Sequence, residues 1–141
     1  EILLQVMENQ RDDLVVILAG YGERMETFFA SNPGFRSRIA HHIDFPDYAD
    51  DELVRIAELM LEKQNYRLSD DGRAALVDYI AARKSQPLFA NARSIRNALD
   101  RARLRQANRV FAGPQPVPAE MLSIIDAPDI LASRVFASST E

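Results

Sequence analysis

Apolar residues in the first third of the chain fall either at helical spacing or in short unbroken runs. Helical spacing predicts a helix over residues 1–9 and another over residues 23–30. The aliphatic run at residues 14–19 is short, rich in β-branched residues and not alternating, which is typical of a parallel strand buried on both faces. A second strand is predicted over residues 39–45. Strand, helix and strand over about 30 residues predict a right-handed βαβ unit.

The remaining two thirds of the chain show mainly helical periodicity. Amphipathic patterns predict helices over residues 51–64, 70–83 and 92–110. Each is preceded by a residue whose side chain can cap the free N–H groups of the first turn: Asp50, Ser69 and Asn91. A proline-rich linker at residues 113–118 leads to a weaker segment, residues 119–136, which is either a helix or a strand followed by a helix.

These patterns predict an α/β plus all-α chain. We expect a remnant of a parallel βαβ sheet subdomain over residues 1–47, a helical subdomain over residues 48–136 and a flexible tail at 137–141. Two strands do not make a stable sheet, and the chain begins at Glu1 inside a predicted helix. We therefore expect the C-terminal part of a longer protein, with further strands upstream.

Composition excludes several kinds of site. Apolar residues make up 47% of the 141 residues, enough for a core, and there is no cysteine to form a disulfide or a thiolate metal site. No apolar run approaches the ~18 residues that span a membrane, and no signal peptide is visible. Residues 90–110 contain six arginines and one acid, on a chain whose net charge is −4. Because aromatic residues do not interleave with these arginines, we expect a solvated face or contacts with acidic neighbours rather than nucleic-acid binding.

Arginines occur at two unusual places. Arg36 and Arg38 follow an Asn-Pro-Gly turn, where a guanidinium can reach out towards phosphate or carboxylate oxygens. Arg93 lies in the first turn of the third helix and Arg96 one turn later, where the helix dipole disfavours a cation. A helix start with an arginine predicts an anion site. The alternative, that Arg93 or Arg96 pairs with a nearby acid, remains open at this stage.

Other candidate residues point to weaker possibilities. Tyr21 follows the first predicted strand, and ligands bind at the carboxyl ends of strands in open α/β sheets. His41 and His42 are adjacent in a predicted strand and point to opposite faces, so they cannot share one metal ion. We expect no metal site in this chain.

Taken together, the sequence resembles the C-terminal half of an AAA+ ATPase module. The resemblance covers nearly the whole chain and rests on Asn-Pro-Gly-Phe-Arg-Ser-Arg-Ile-Ala-His-His at residues 32–42 and on Asn-Ala-Arg at residues 91–93, where related unfoldases carry Gly-Ala-Arg. It is most similar to the CbbX group, the red-type Rubisco activases, and to relatives of the sporulation-protein-K type.

The resemblance implies a role for each candidate residue. Arg38 matches the arginine finger that reaches the nucleotide of a neighbouring subunit, and Arg36 is the second candidate. Arg93 matches the sensor-2 arginine of the helical lid, which contacts the nucleotide of its own subunit. Tyr21 falls near the sensor-1 position, which is usually a small polar residue.

The resemblance also implies an activity. The complete protein would be a hexameric motor that uses ATP and Mg²⁺ and pulls on the C-terminal tail of the red-type Rubisco large subunit to release inhibitory sugar phosphates. Ribulose 1,5-bisphosphate would be a possible effector, and the location would be the bacterial cytoplasm or the plastid stroma of red-lineage algae. The chain contains no P-loop motif, so by itself it is expected to be inactive. The alternatives are a sporulation-protein-K-like motor with another client and a non-enzymatic helical adaptor.

Overall fold

The computed structural model describes residues 2–137, so the predicted flexible tail lies outside the described residues except for Ala137. The chain divides into two compact units, Glu1–Pro46 and Asp47–Glu141. The described part of the first unit contains three helices: α1 (Ile2–Asn9), α2 (Gly22–Ser31) and α3 (Phe35–Arg38). The described part of the second unit contains, in order, α4 (Asp50–Glu62), β1 (Arg67–Leu68), α5 (Asp70–Lys84), α6 (Ala92–Ala112), a 3-10 turn (Ala119–Ser123), β2 (Ile124–Ile125) and α7 (Ala127–Leu131).

The core of the second unit lies between the predicted amphipathic helices. Leu53 and Ala57 of α4, Leu76 and Ile80 of α5, and Ile95 and Leu99 of α6 are all buried. Ile125 of β2 and Ile130 of α7 close the same cluster. Burial of each large aliphatic side chain contributes about 1.5–3 kcal/mol, so this unit has a core of its own.

A small parallel sheet joins the last segment to the helices. Strand β1 pairs with β2 in the register Arg67 with Ile124 and Leu68 with Ile125. Residues 119–136 therefore adopt the second of their two predicted forms, a strand followed by a helix. Gly72 lies against this sheet, where a Cβ atom would come within 2.6 Å of the Ile125 carbonyl oxygen. The first turn of α5 and β2 approach this closely because residue 72 has no side chain.

Two of the three predicted caps differ in the structure. The Ser69 hydroxyl accepts the Gly72 N–H at 2.9 Å, as predicted. Asp50 is instead the first residue of α4, because the Glu52 carboxylate reaches back to accept the Ala49 N–H at 2.8 Å and starts the helix one residue earlier. Asn91 precedes α6 but its side chain does not cap the helix, since it is bonded elsewhere.

The two strands predicted in the first unit are wrong as strands. Among the described residues, neither 14–19 nor 39–45 pairs with another segment. A strand requires a neighbour for its N–H and C=O groups, and the two runs do not supply this to each other. The side chains predicted to be buried are exposed instead, with Ile17 85% and Phe45 87% accessible.

The hydroxyl that caps α5 also fixes the start of α7. Ser69 Oγ donates to Asp126 Oδ1 at 2.5 Å, and the Ala127 N–H donates to the same oxygen at 2.9 Å. These two hydrogen bonds, the Ser69 bond above all, lower the pKa of Asp126. The charged form of Asp126 therefore stabilises the folded unit.

We expect Ser69→Ala to weaken the dependence of the free energy of unfolding on pH under acidic conditions. The pKa of Asp126 is lower in the folded chain than its unfolded value of about 3.9. The stability that ionised Asp126 contributes is therefore fully present above the unfolded pKa, and it is lost as the pH falls through the folded pKa. Urea unfolding near pH 6 should show a loss of about 1 kcal/mol from the missing cap. Near pH 3 the gap between the variant and the parent chain should narrow. Ser85→Ala, which removes an exposed hydroxyl bonded only to Ala82 O, is the control; a gap that is the same at both pH values would contradict the assignment.

Candidate functional site

The arginine-bearing turn contains a helix of a single turn. Gly34 has φ +104°, a left-handed conformation that lets the chain reverse direction after α2. Phe35 is buried and its ring packs edge-on against Phe28 at 5.0 Å between centroids. Residues 35–38 directly after the Asn-Pro-Gly turn form α3, and these contacts hold Arg36 and Arg38 on an anchored segment.

Both arginines of this turn are held by carboxylates of the same unit. Arg36 forms an ion pair with Glu26, and its guanidinium lies 5.3 Å from the centroid of the Phe29 ring. Arg38 Nη2 donates to Glu8 Oε2 at 3.0 Å, and its Nη1 donates to the Gly34 carbonyl at 3.2 Å. Exposed ion pairs of this kind contribute only about 0.2–1 kcal/mol. Either guanidinium can therefore leave its carboxylate for a stronger anion at little cost.

Arg93 and Arg96 have a different environment at the start of α6. Both side chains are exposed, and within residues 2–137 neither forms a hydrogen bond or an ion pair. The alternative in which a nearby acid neutralises them is not seen in the described part of the chain. An exposed arginine in the first turn of a 21-residue helix is free to bind an external anion.

The start of α6 is bonded to the first residues of the second unit. Asn91 Oδ1 accepts the Tyr48 N–H at 3.0 Å, and Asn91 Nδ2 donates to Asp47 Oδ1 at 2.7 Å. Lys84 Nζ adds a bond of 2.6 Å to Asp50 Oδ1. Residues 47 and 48 are therefore bonded to the turn that carries Arg93, and Asp50 is bonded to the end of α5.

The loop before α6 is also fixed in shape. Arg83 donates from Nη1 to the Pro87 carbonyl at 3.0 Å and from Nη2 to the Leu88 carbonyl at 3.1 Å. Leu88 has φ +60° and Asn91 has φ +48°, both unusual for residues with a side chain. Bonds from Arg83 and Asn91 hold these backbone conformations, so the position of Arg93 is determined by its surroundings.

The structure places the predicted site residues in three locations. Arg36 and Arg38 share α3, Tyr21 immediately precedes α2 with 73% of its surface exposed, and Arg93 belongs to the second unit. Within residues 2–137 no group of His, Asp or Glu side chains could hold a metal ion. None of the helices formed by these residues combines the length and the apolar character that a bilayer-spanning segment requires.

Sequence reasoning missed the residues that hold the arginines. Glu8 lies thirty positions before Arg38, and Glu26 ten before Arg36, so spacing along one element gave no signal for either pair. Asn91 was predicted to cap α6, and its actual bonds to Asp47 and Tyr48 span more than forty residues. A polar residue before a helix can either cap that helix or bond to a distant segment. The sequence does not distinguish these two roles, whereas the structure does.

We expect Asn91→Ala to expose the amide of Tyr48. This change removes the acceptor of that N–H, and a lost hydrogen bond of about 1 kcal/mol should speed amide exchange roughly fivefold. Hydrogen exchange measured by NMR on the chain reports this single amide. Asn97→Ala, an exposed position on the same helix, is the control and should leave it unchanged. Equal exchange in both variants would show that Asn91 does not hold residues 47 and 48.

Comparison with known proteins follows this division of the chain. The family model of the AAA lid domain matches residues 49–137. Protein CbbX of Cereibacter sphaeroides is 68% identical over 137 residues, which is 96% of this chain and 44% of that protein. Protein CfxQ of Xanthobacter flavus is 62% identical over 141 residues, covering 100% of the chain and 44% of that protein. The CfxQ homolog of Trieres chinensis is 62% identical over 137 residues, covering 96% of the chain and 47% of that protein. The chain thus spans about half the length of the curated relatives it matches.

Proposed function

Because this chain belongs to the AAA lid domain family, as the C-terminal portion of a CbbX-family AAA+ protein, we propose that the complete protein is an ATP-driven motor that acts as a red-type Rubisco activase. It would pull on the C-terminal tail of the Rubisco large subunit and so release inhibitory sugar phosphates. The observation that supports this most is the exposed Arg93 at the start of α6, on a turn that is bonded to residues 47 and 48.

Arg93 is proposed to contact the phosphates of ATP bound in the same subunit. A guanidinium with no acidic partner among the described residues offers all its donors to a triphosphate. Asn91 would pass a movement of this turn to residues 47–50, where we place the hinge of the lid. Tyr21 is kept as the sensor-1 candidate, and its exposure leaves it accessible to a nucleotide.

Arg38 is proposed to be the arginine finger acting on the neighbouring subunit, with Arg36 as the second candidate. Charge on the transferred phosphoryl group is stabilised by fixed cations, and a finger supplied by a neighbour makes hydrolysis depend on assembly. The helix α3 gives both arginines a fixed base, and the weak ion pair with Glu8 lets Arg38 exchange partners.

Other parts of the activity are assigned to the complete protein. Residues 1–141 contain no P-loop motif, and the described residues contain no metal-binding cluster. We therefore assign the binding of Mg²⁺, and the contacts to ATP other than those proposed for this chain, to segments outside this sequence. The chain by itself is proposed to be inactive. We further propose a hexamer, ribulose 1,5-bisphosphate as effector, and a location in the bacterial cytoplasm or the plastid stroma.

ATP turnover by the complete protein tests this function. It is measured alone, with inhibitor-blocked red-type Rubisco, and with that Rubisco plus ribulose 1,5-bisphosphate. The proposal predicts stimulated hydrolysis together with recovery of carboxylation. A rate of ATP hydrolysis that is unchanged by Rubisco would instead favour a sporulation-protein-K-like motor with another client. Absence of hydrolysis would favour a helical adaptor.

A further inference from the structure

Glu8 stands at an unfavourable place on α1. It belongs to the last turn of that helix, where the helix dipole disfavours a negative charge. Arg11 follows three positions later, but its guanidinium lies 3.9 Å from Asp12 instead. The partner of Glu8 is Arg38, thirty positions away, at 3.0 Å. Neither the helix dipole nor a cation of the same segment accounts for this carboxylate, whereas its contact with Arg38 does.

The guanidinium of Arg38 is held at both of its terminal nitrogens. Nη2 donates to Glu8 Oε2 at 3.0 Å, and Nη1 donates to the Gly34 carbonyl at 3.2 Å. A Cβ atom on residue 34 would lie 3.0 Å from the same Nη1, so the glycine leaves room for the guanidinium to lie against the turn. Both terminal nitrogens are therefore bonded within the first unit.

These bonds compete with the role proposed above for Arg38. An arginine that binds a phosphate in the bidentate manner does so through paired N–H donors, and here the terminal nitrogens already have acceptors. The side chains of Arg38 and Glu8 are 41% and 65% exposed, so solvent screens their attraction and the held position is favoured only slightly. A more highly charged anion can therefore displace Glu8.

We propose that Glu8 makes a self-inhibitory contact, which holds Arg38 against its own subunit until the nucleotide of a neighbouring subunit displaces the carboxylate. This inference rests on the function proposed for Arg38. In a separate subunit the charge of Arg38 is neutralised by Glu8, and in an assembly the triphosphate takes the place of that carboxylate. Assembly with nucleotide is therefore weaker than it would be without Glu8, because the ion pair has to be broken first.

Sedimentation velocity on the complete protein tests this contact without relying on turnover. Assembly is followed over a range of protein concentrations, with Mg²⁺ and a slowly hydrolysed ATP analogue, and again without nucleotide. With the analogue, Glu8→Gln should lower the concentration of half-assembly about threefold, the effect of losing one exposed ion pair. Without nucleotide it should have no effect, because no phosphate then receives Arg38.

Two further variants make this result specific to the contact. Asp13→Asn removes the same charge from another exposed position of the first unit and should leave half-assembly unchanged. In an Arg38→Ala background, Glu8→Gln should also have no effect, because there is no guanidinium to release. Since Glu8 is largely exposed, Glu8→Gln should fold as the parent does.

Three results would overturn the inference. The first is a concentration of half-assembly for Glu8→Gln that equals or exceeds that of the parent. The second is an equal shift for Asp13→Asn, which would reflect net charge alone. The third is a shift that persists in the Arg38→Ala background. If Arg38→Ala lowers ATP turnover while one of these results is found, only the self-inhibitory contact is wrong. If Arg38→Ala leaves turnover unchanged, the role proposed for Arg38 fails and the inference fails with it.

Discussion

Arg38→Ala in the complete protein is expected to lower ATP turnover by roughly 10³-fold or more and to leave ATP affinity nearly unchanged. An arginine finger acts on the charge that develops in the transition state, so its loss affects turnover rather than binding. Steady-state turnover and nucleotide titration on the same variant separate the two effects. Arg38 also belongs to an exposed ion pair, whose loss costs the fold less than about 1 kcal/mol.

Matched variants make this result specific to Arg38. Arg24→Ala removes an exposed arginine of α2 and should leave turnover unchanged. Arg36→Ala tests the second candidate on the same turn of helix. If Arg38→Ala retains full turnover while Arg36→Ala is inactive, the finger is Arg36, and if both retain it, the turn has no catalytic role. Glu8→Gln frees Arg38 from its partner within the chain and should not reduce turnover.

Asp129→Ala is expected to destabilise the second unit strongly. Asp129 is 1% exposed, binds Arg109 through both oxygens and accepts the Asp126 N–H at 2.9 Å. The hydrogen bond to Asp129 also raises the pKa of Arg109. Removing one partner of a buried pair costs about 3–5 kcal/mol. Because the Arg109 side chain is 31% exposed, we expect a loss of about 3 kcal/mol, at the lower end.

Urea unfolding of the chain measures this loss. Asp100→Ala is the control, since Asp100 lies on α6, is 58% exposed and is 3.8 Å from Arg103. That variant should differ from the parent by no more than about 0.5 kcal/mol. Equal effects of the two substitutions would show that the Arg109–Asp129 contact does not hold α7 against α6.

Helices were predictable from the sequence because their hydrogen bonds are local. The helix observed as α5 was predicted from apolar spacing and the Ser69 cap, and its bounds differ by one residue. A strand needs a neighbouring strand for its backbone hydrogen bonds, and residues 14–19 and 39–45 have none among the described residues. The apolar pattern alone therefore predicted strands that the structure does not contain in this part of the chain. The family resemblance and the fold class, with its helical lid, are confirmed by the lid model and by the relatives.

The candidate site was predictable only in part. Arg93 could be identified because the helix dipole disfavours a cation in the first turn of a helix, and such departures from local rules tend to occur at functional sites. Its exposed state and the bonds from Asn91 to residues 47 and 48 depend on contacts between distant segments. The pairing of Arg38 with Glu8 is of the same kind, since no periodicity relates α1 to α3.

A mixing experiment tests the central claim most directly, namely that Arg38 acts on a neighbour and Arg93 on its own subunit. Arg38→Ala and Arg93→Ala forms of the complete protein are produced separately and by co-expression in equal amounts, and ATP turnover per chain is measured. In mixed rings, about a quarter of the sites would combine an intact Arg93 with a neighbour's intact Arg38. If Arg38 acts on a neighbour and Arg93 on its own subunit, turnover of the mixture should clearly exceed the mean of the two separate variants. Turnover equal to that mean would contradict it, because two arginines acting within one subunit cannot complement each other.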